Sequence, residues 1–128
     1  MTRDMYLDGY HSIWAIDYSK VVIEQLKKRD KDLQGIQCSG WQGCTRIDSV
    51  MDCFDISFPS ESFDVVIDKS MLDTFLCSEA TCNSIPSYFN GVKKVLKPGG
   101  VFLVASFNSP DMVSASVRFD VRSVQCSL

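Results

Sequence analysis

The sequence predicts an α/β fold with a mostly parallel sheet, and three observations predict it. Three short runs, Ile13-Trp14-Ala15-Ile16-Asp17, Val65-Val66-Ile67-Asp68 and Val101–Phe107, are apolar and bounded by charge or glycine, as buried strands are. Segments with apolar residues three and four apart separate them, as on helices that cover a sheet. Strands alternating with helices imply βαβ units with right-handed crossovers. The 128 residues suit a single domain, with its core over about residues 9–107 and a poorly patterned tail over 108–128.

Taken in order, residues 1–10 read as the end of a helix closed by Gly9. A strand over Ser12–Asp17 follows. Ser19 is then placed to N-cap a helix from Lys20 to about Asp30, which turns Val22, Ile23 and Leu26 toward the sheet. Gly35, Gly40 and Gly43 break all periodicity between Asp32 and Val50. That segment reads as a surface loop with a strand near Leu33–Gln37 or near Ile47–Met51, and Cys38–Asp48 as exposed and irregular.

Pro59 and Ser60-Glu61-Ser62 mark a turn. Beyond it, Val65-Val66-Ile67 reads as a fully buried central strand carrying Asp68 and Lys69 at its carboxyl end. Met71–Cys77 reads as a short helix and Ser78–Ser84 as loop. A longer helix over Pro86–Leu96 is N-capped by Ser84, striped with Tyr88, Val92 and Val95, and ended by Pro98, Gly99 and Gly100. The Val101–Phe107 strand comes next, and Val117–Val124 is a weak edge strand.

The formal charge of −3 is mild, and Lys27-Lys28-Arg29 is followed at once by Asp30 and Asp32. This is a solvated helix face and not a nucleic-acid surface. Of the six cysteines, Cys38 and Cys44 or Cys77 and Cys82 are spaced too widely for a zinc knuckle, and the single His11 is remote from both pairs. Reduced thiols in a cytoplasmic protein, with no metal, are expected. Met1-Thr2-Arg3-Asp4 leads into no apolar signal segment, and no run approaches a membrane span. Neither a membrane nor a nucleic acid is an expected partner.

Three acidic residues, Asp17, Asp52 and Asp68, fall at or near predicted strand ends. A carboxylate at a strand tip can accept two hydrogen bonds from a ribose diol, as in dinucleotide-binding folds, and one at the next tip can accept from an exocyclic amine. Asp also ends strands because it favours turns and caps, and both readings stand for each residue. Lys69 is open in the same way, as a site residue or as the partner of Asp64 or Asp73 in a surface ion pair.

These residues carry a resemblance. Ile16-Asp17-Tyr18-Ser19, Met51-Asp52, Phe63–Asp73 and Val95-Leu96-Lys97-Pro98-Gly99-Gly100 resemble successive motifs of class I S-adenosylmethionine-dependent methyltransferases, whose fold is Rossmann-like. The Asp-Lys-x-x-Leu-Asp signature of Asp68–Asp73 resembles the branch that includes protein-lysine methyltransferases acting on elongation factor 1-alpha. The resemblance implies that Asp17 holds the ribose hydroxyls of S-adenosyl-L-methionine and that Tyr18 packs beside the adenine. It further implies that Asp52 binds the adenine amine with the Cys53 backbone amide, and that Lys69 lines the pocket near the reacting methyl beside Asp68. A protein substrate is implied, and no metal or covalent nucleophile.

Three departures accompany it. The family's first strand and glycine-rich loop, which approach the methionine end of the cofactor, have no counterpart before Asp17, so an incomplete, N-terminally truncated fold is expected. The stretch from Leu33 to Met51, with Gly40-Trp41-Gln42-Gly43-Cys44, is longer than in the family. The tail after Asn108 stops before the family's closing antiparallel strands. The expected function is therefore that of a methyltransferase-like domain with weak or absent cofactor binding in this chain. The alternative is a non-catalytic remnant that pairs with another chain, or with itself, through exposed sheet edges. A phosphoreceiver is disfavoured, because Lys97 precedes the last strand where that fold needs a lysine after it.

Overall fold

Every strand pairing among the described residues is parallel. The computed structural model describes residues 1–10, 12–31, 45–77, 83–116 and 124–126, which fall in two compact units, Met1–Cys53 and Phe54–Leu128. The first contains α1 (Thr2–Leu7), β1 (Ser12–Asp17), α2 (Lys20–Arg29) and β2 (Thr45–Val50). The second contains β3 (Phe63–Lys69), α3 (Met71–Leu76), α4 (Ile85–Val95), β4 (Leu96–Ala105), α5 (Pro110–Ser116) and β5 (Val124–Cys126). The sheets are β1-β2 and β3-β4-β5. The strands at Ile13, Val66 and Leu103 were expected to run parallel, those ending in Asp17 and Asp68 either pairing directly or leaving a gap between them; among the described residues these two do not pair. Each sheet forms instead between strands adjacent in the chain, β1 finding β2 across α2 and β3 finding β4 across α3 and α4.

In the first unit Gly9 ends α1 at φ +100°, its amide donating to the Tyr6 carbonyl at 3.2 Å, a conformation that costs glycine little. The Ser19 hydroxyl accepts from the Val22 amide at 3.4 Å and caps α2 as predicted. Ile23 is buried and Leu26 half-buried, but Val22 is exposed. The apolar stripe is narrower than expected because the sheet it covers is two strands wide among the described residues. Asp30, fully buried at the end of α2, is clamped by Arg29 Nε at 2.8 Å, Arg29 Nη2 at 2.7 Å and, from α1, Arg3 Nη1 at 3.2 Å. Charge pairing of this kind makes a buried carboxylate tolerable.

Of the two strands proposed between Asp32 and Met51, the second is realised as β2, in register from Ser12 opposite Thr45 to Asp17 opposite Val50. Thr45–Asp48 are thus ladder residues, correcting the expectation of an irregular Cys38–Asp48. The backbone partners offered by β1 override a weak local signal. Leu33–Gln37 and residues 38–44 lie outside the described residues.

In the second unit the middle strand is β4 and not β3. Phe102 and Val104 of β4 are buried, whereas Val65 of β3 is 46% exposed and Val66 and Ile67 are half-buried. The expectation of a fully buried central strand at Val65–Ile67 fails because, among the described residues, β3 has a ladder neighbour on one side only. The residue pattern of α4 was read correctly. Ile85, Tyr88, Phe89, Val92 and Val95 are all buried, at the spacing of one helical face. Tyr88 and Phe89 meet Phe102 edge-on, with ring centroids 6.5 and 5.9 Å apart, and Phe75 of α3 meets Tyr88 at 5.3 Å. Ser84 sits at the N-cap of α4 but makes no side-chain cap bond.

The glycines do not end α4. The helix passes at Leu96 straight into β4, and its last carbonyls, Lys94 O and Val95 O, accept from the amides of Glu61 and Ser62 at 2.9 and 2.8 Å. Orphan carbonyls satisfied from a neighbouring segment need no glycine cap. Lys97–Gly100 instead form a bulge between the Phe63–Leu96 and Val65–Val101 pairs. Gly99 stands there at φ +79°, and a Cβ on Gly100 would lie 2.9 Å from the Lys97 carbonyl and 3.1 Å from that of Asp64. Of the expected weak edge strand Val117–Val124, residues 117–123 lie outside the described residues, as do 78–82, and Val124 opens β5, which pairs from Phe102 opposite Val124. Among the described residues no helix is long and apolar enough to cross a membrane, and neither Cys53 nor Cys77 is in a disulfide there.

These contacts set an expectation for the bulge. Gly99→Ala meets only the backbone cost of a left-handed residue, about 1–2 kcal/mol. Gly100→Ala drives a methyl into two carbonyls, and overpacking costs about 1–3 kcal/mol. Urea denaturation should show both variants destabilised, and a Gly100→Ala variant as stable as wild type would refute the packing described for the bulge.

Candidate functional site

Parallel strands bring their carboxyl ends to one edge, so the residues that follow them are neighbours without being close in sequence. At that edge of the first sheet the Asp17 carbonyl accepts from the Met51 amide at 3.0 Å, placing Asp17 beside Met51-Asp52. The Asp17 carboxylate is half-buried, and its Oδ1 accepts from the Ser19 amide at 2.8 Å. Its Oδ2 has no hydrogen-bond partner among the described residues. Asp52 is exposed, Cys53 half-buried and Tyr18 77% exposed. The structure therefore gathers four of the six candidate residues, Asp17, Tyr18, Asp52 and Cys53, on one rim with an oriented, open carboxylate oxygen.

Asp68 and Lys69 end β3 in the second unit. Asp68 is buried, and both its oxygens are engaged. Oδ1 accepts from the Met71 amide at 2.7 Å, and Oδ2 from the Leu72 amide at 3.1 Å and the Tyr88 hydroxyl at 2.8 Å. Burial pushes its pKa above the ordinary carboxylate value, and these three donors pull against that shift. Lys69 is exposed and makes no hydrogen bond or ion pair among the described residues. The surface pairs considered for it are taken elsewhere. Asp64 holds Lys97 at 2.8 Å, and Asp73 is engaged as described next. Between Lys69 and α3, Ser70 takes φ +64°, its amide donating to the Ala105 carbonyl at 2.9 Å. A non-glycine residue in this region is strained and persists where its surroundings fix it.

Asp73, expected only as the close of the Asp68–Asp73 signature or as an ion-pair partner for Lys69, has a different role. Its carboxylate accepts from the Ser106 hydroxyl, the Phe107 amide at 3.1 Å and Asn108 Nδ2 at 2.7 Å. The Asn108 amide in turn donates to Ser106 Oγ at 2.9 Å. Burial acts to raise the Asp73 pKa, but these donors outweigh it and hold the group below its ordinary value. The signal in the sequence is the closing Asp of Asp68–Asp73 together with Ser106-Phe107-Asn108, two motifs linked only by the β3–β4 pairing. Among the described residues no group of three or more His, Cys, Asp or Glu side chains is placed to hold a metal.

Comparison with known proteins gives a consistent outcome. The sequence matches the family model of the methyltransferase domain over residues 1–104. It is 27% identical over 130 residues to EEF1A lysine methyltransferase 4 of Mus musculus, covering 95% of this chain and 44% of that protein. It is 31% identical over 120 residues to eEF1A lysine and N-terminal methyltransferase of Bos taurus, and 30% over 119 residues to that of Homo sapiens, in each case covering 91% of this chain and 16% of the relative. The chain thus spans less than half the length of these relatives.

The Asp73 contacts predict a pH signature. Replacing Asp73 by Asn removes hydrogen bonds to a charged acceptor, each worth about 1.5–3 kcal/mol, and should lower stability near neutral pH by about that much. A carboxylate with a depressed folded-state pKa stabilises the fold above its unfolded pKa of about 3.9 and loses that contribution as pH falls through the folded value. The wild-type advantage over Asp73→Asn should therefore shrink below about pH 4. Denaturation of both proteins at pH 7 and pH 3 measures it, and an undiminished gap at pH 3 would count against an ionised Asp73.

Proposed function

Because the chain belongs to the class I S-adenosylmethionine-dependent methyltransferase domain family, we propose that it carries the nucleoside-binding rim and part of the acceptor side of a protein-lysine methyltransferase. Both units belong to one such domain in this reading, since the family match runs through both. The acceptor class follows the relatives, whose names make eEF1A their substrate, and a lysine of that translation factor is the acceptor we assign. The chain would then work in the cytoplasm, where translation occurs.

The observation that carries the reading is the open Oδ2 of Asp17 beside Met51-Asp52. A carboxylate fixed through one oxygen by the Ser19 amide is oriented to receive a ribose hydroxyl on the other. Asp52 would accept from the adenine amine with the Cys53 amide beside it, and exposed Tyr18 would pack against the base. When bound, S-adenosylmethionine would supply an electrophilic methyl: the neutral lysine amine forms the N–C bond as the C–S bond breaks, the thioether S-adenosylhomocysteine leaves, and the ammonium proton is lost to solvent. The chain's own share is binding and orientation. By the resemblance Lys69 belongs to the acceptor side, where its charge would favour the neutral, nucleophilic form of an acceptor amine. Asp68, with both oxygens occupied by protein donors, acts in this scheme by fixing the β3–α3 junction that carries Lys69.

No described residues form a glycine-rich turn after a strand, so the methionine end is the part that this chain serves least. Loss of two charge-assisted contacts, at about 1.5–3 kcal/mol each, takes micromolar binding to roughly the millimolar range. A second reading, pairing with another chain, is favoured by the outer edge of β3, which has no ladder partner among the described residues.

Calorimetric titration separates these readings. S-adenosylmethionine should bind at roughly millimolar affinity, adenosine within about threefold of it, and Asp17→Ala should weaken both about tenfold or more. Affinity that ignores Asp17 would sink the nucleoside assignment. Micromolar single-site binding would show that other groups serve the methionine end. A chain that binds neither compound but dimerises is the interaction module of the second reading.

A further inference from the structure

Phe107 is 92% exposed, the most exposed of the large apolar side chains described. Burying a phenylalanine ring is favourable, and a mobile loop would let this one fold back onto apolar surface. Its loop is held against that. The Phe107 amide is bound to Asp73 Oδ2, while the Ser106 hydroxyl and Asn108 Nδ2 on either side are bound to Asp73 Oδ1. The Asn108 amide closes the turn on Ser106 Oγ. A carboxylate in the first turn of α3 thus pins both neighbours of the ring and leaves the ring in water.

The position is as informative as the exposure. Phe107 lies two residues beyond Ala105, which stands opposite Lys69 in the β3–β4 ladder. It therefore belongs to the carboxyl edge of that sheet, where open α/β sheets bind ligands. Exposed Asp111 follows four residues on, and the chain carries a formal charge of −3. Both favour a basic partner over an acidic one. A lysine-bearing segment has the matching chemistry, an apolar four-carbon stem that packs on a ring and an ammonium drawn to its face.

We propose that Phe107 is an acceptor-contacting residue, a fixed aromatic platform for the lysine-bearing segment of the protein substrate, with Asp73 as the positioning residue that presents it. The inference rests on the protein-lysine reading above and deepens it. It assigns Phe107 no part in holding the cofactor.

The test uses the full chain with purified eEF1A as the probe, measuring binding directly so that no turnover is needed. Phe107→Ala should weaken eEF1A binding about tenfold or more, with the melting temperature and the adenosine affinity unchanged, and Phe107→Tyr should restore binding to within about threefold. An effect below twofold, a fall in melting temperature that accounts for the loss, or failure of tyrosine to restore binding would overturn the proposal. So would a wild-type chain that does not bind eEF1A, or a dimer of the chain that Phe107→Ala dissolves, since the ring would then serve a second copy. A chain that binds eEF1A through Phe107 but takes up neither adenosine nor S-adenosylmethionine would support the proposal and sink the cofactor reading alone.

Discussion

A single buried carboxylate ties the larger unit together. Asp68 ends β3, accepts the first two amides of α3, and receives the Tyr88 hydroxyl from α4. Tyr88 is itself packed between Phe75, Phe89 and Phe102. Burial disfavours the charge, and the three donors are the compensation that a low-dielectric site demands. Because those donors come from two helices, the start of α3 and the rotation of α4 against the sheet are set by one group. The loop beyond β4 is then fastened to α3 by Asp73, so its position is inherited from Asp68.

Asp17 and Asp68 occupy equivalent places in the sequence, each closing an apolar strand before a helix, and they have different fates. The difference lies in the serine that follows. Ser19 has extended backbone and caps α2 with its own hydroxyl, so Asp17 is used through only one oxygen. Ser70 is in the left-handed region and makes no side-chain cap bond, so Asp68 must satisfy the α3 amides itself. One carboxylate is left available to a ligand, and the other is consumed by the fold.

Much of this was legible in the sequence where local and tertiary preferences agree. The limits of β1, the Ser19 cap, the span of β3 and the apolar face of α4 follow from spacing and capping chemistry alone. What was misread depends on partners that a local pattern cannot display. The pairing of Thr45–Val50 is dictated by β1, the exposure of Val65 by the side of β3 that has no ladder partner among the described residues, and the end of α4 by Glu61 and Ser62. Of the six candidate residues, Asp17, Asp52, Asp68 and Lys69 were picked out by strand-end position, and Tyr18 and Cys53 by the family resemblance alone. Their division between two sheets, and the role of Asp73, required the β3–β4 register, because Asp73 and Asn108 lie thirty-five residues apart.

The bulge at Lys97–Gly100 has a consequence for how α4 and β4 coexist. A helix that runs into a strand without a linker would lock the rotational phase of one to the alternation of the other. The face of α4 that buries Val92 and Val95 would then dictate which side of β4 holds Phe102. Between the Phe63–Leu96 and Val65–Val101 pairs, however, two steps along β3 are matched by five along β4. That surplus of backbone uncouples the two periods, so helical phase and strand parity are each set by their own neighbours. Gly99, at positive φ, and Gly100, too crowded for a side chain, are the residues that let the slack be stored in so short a length.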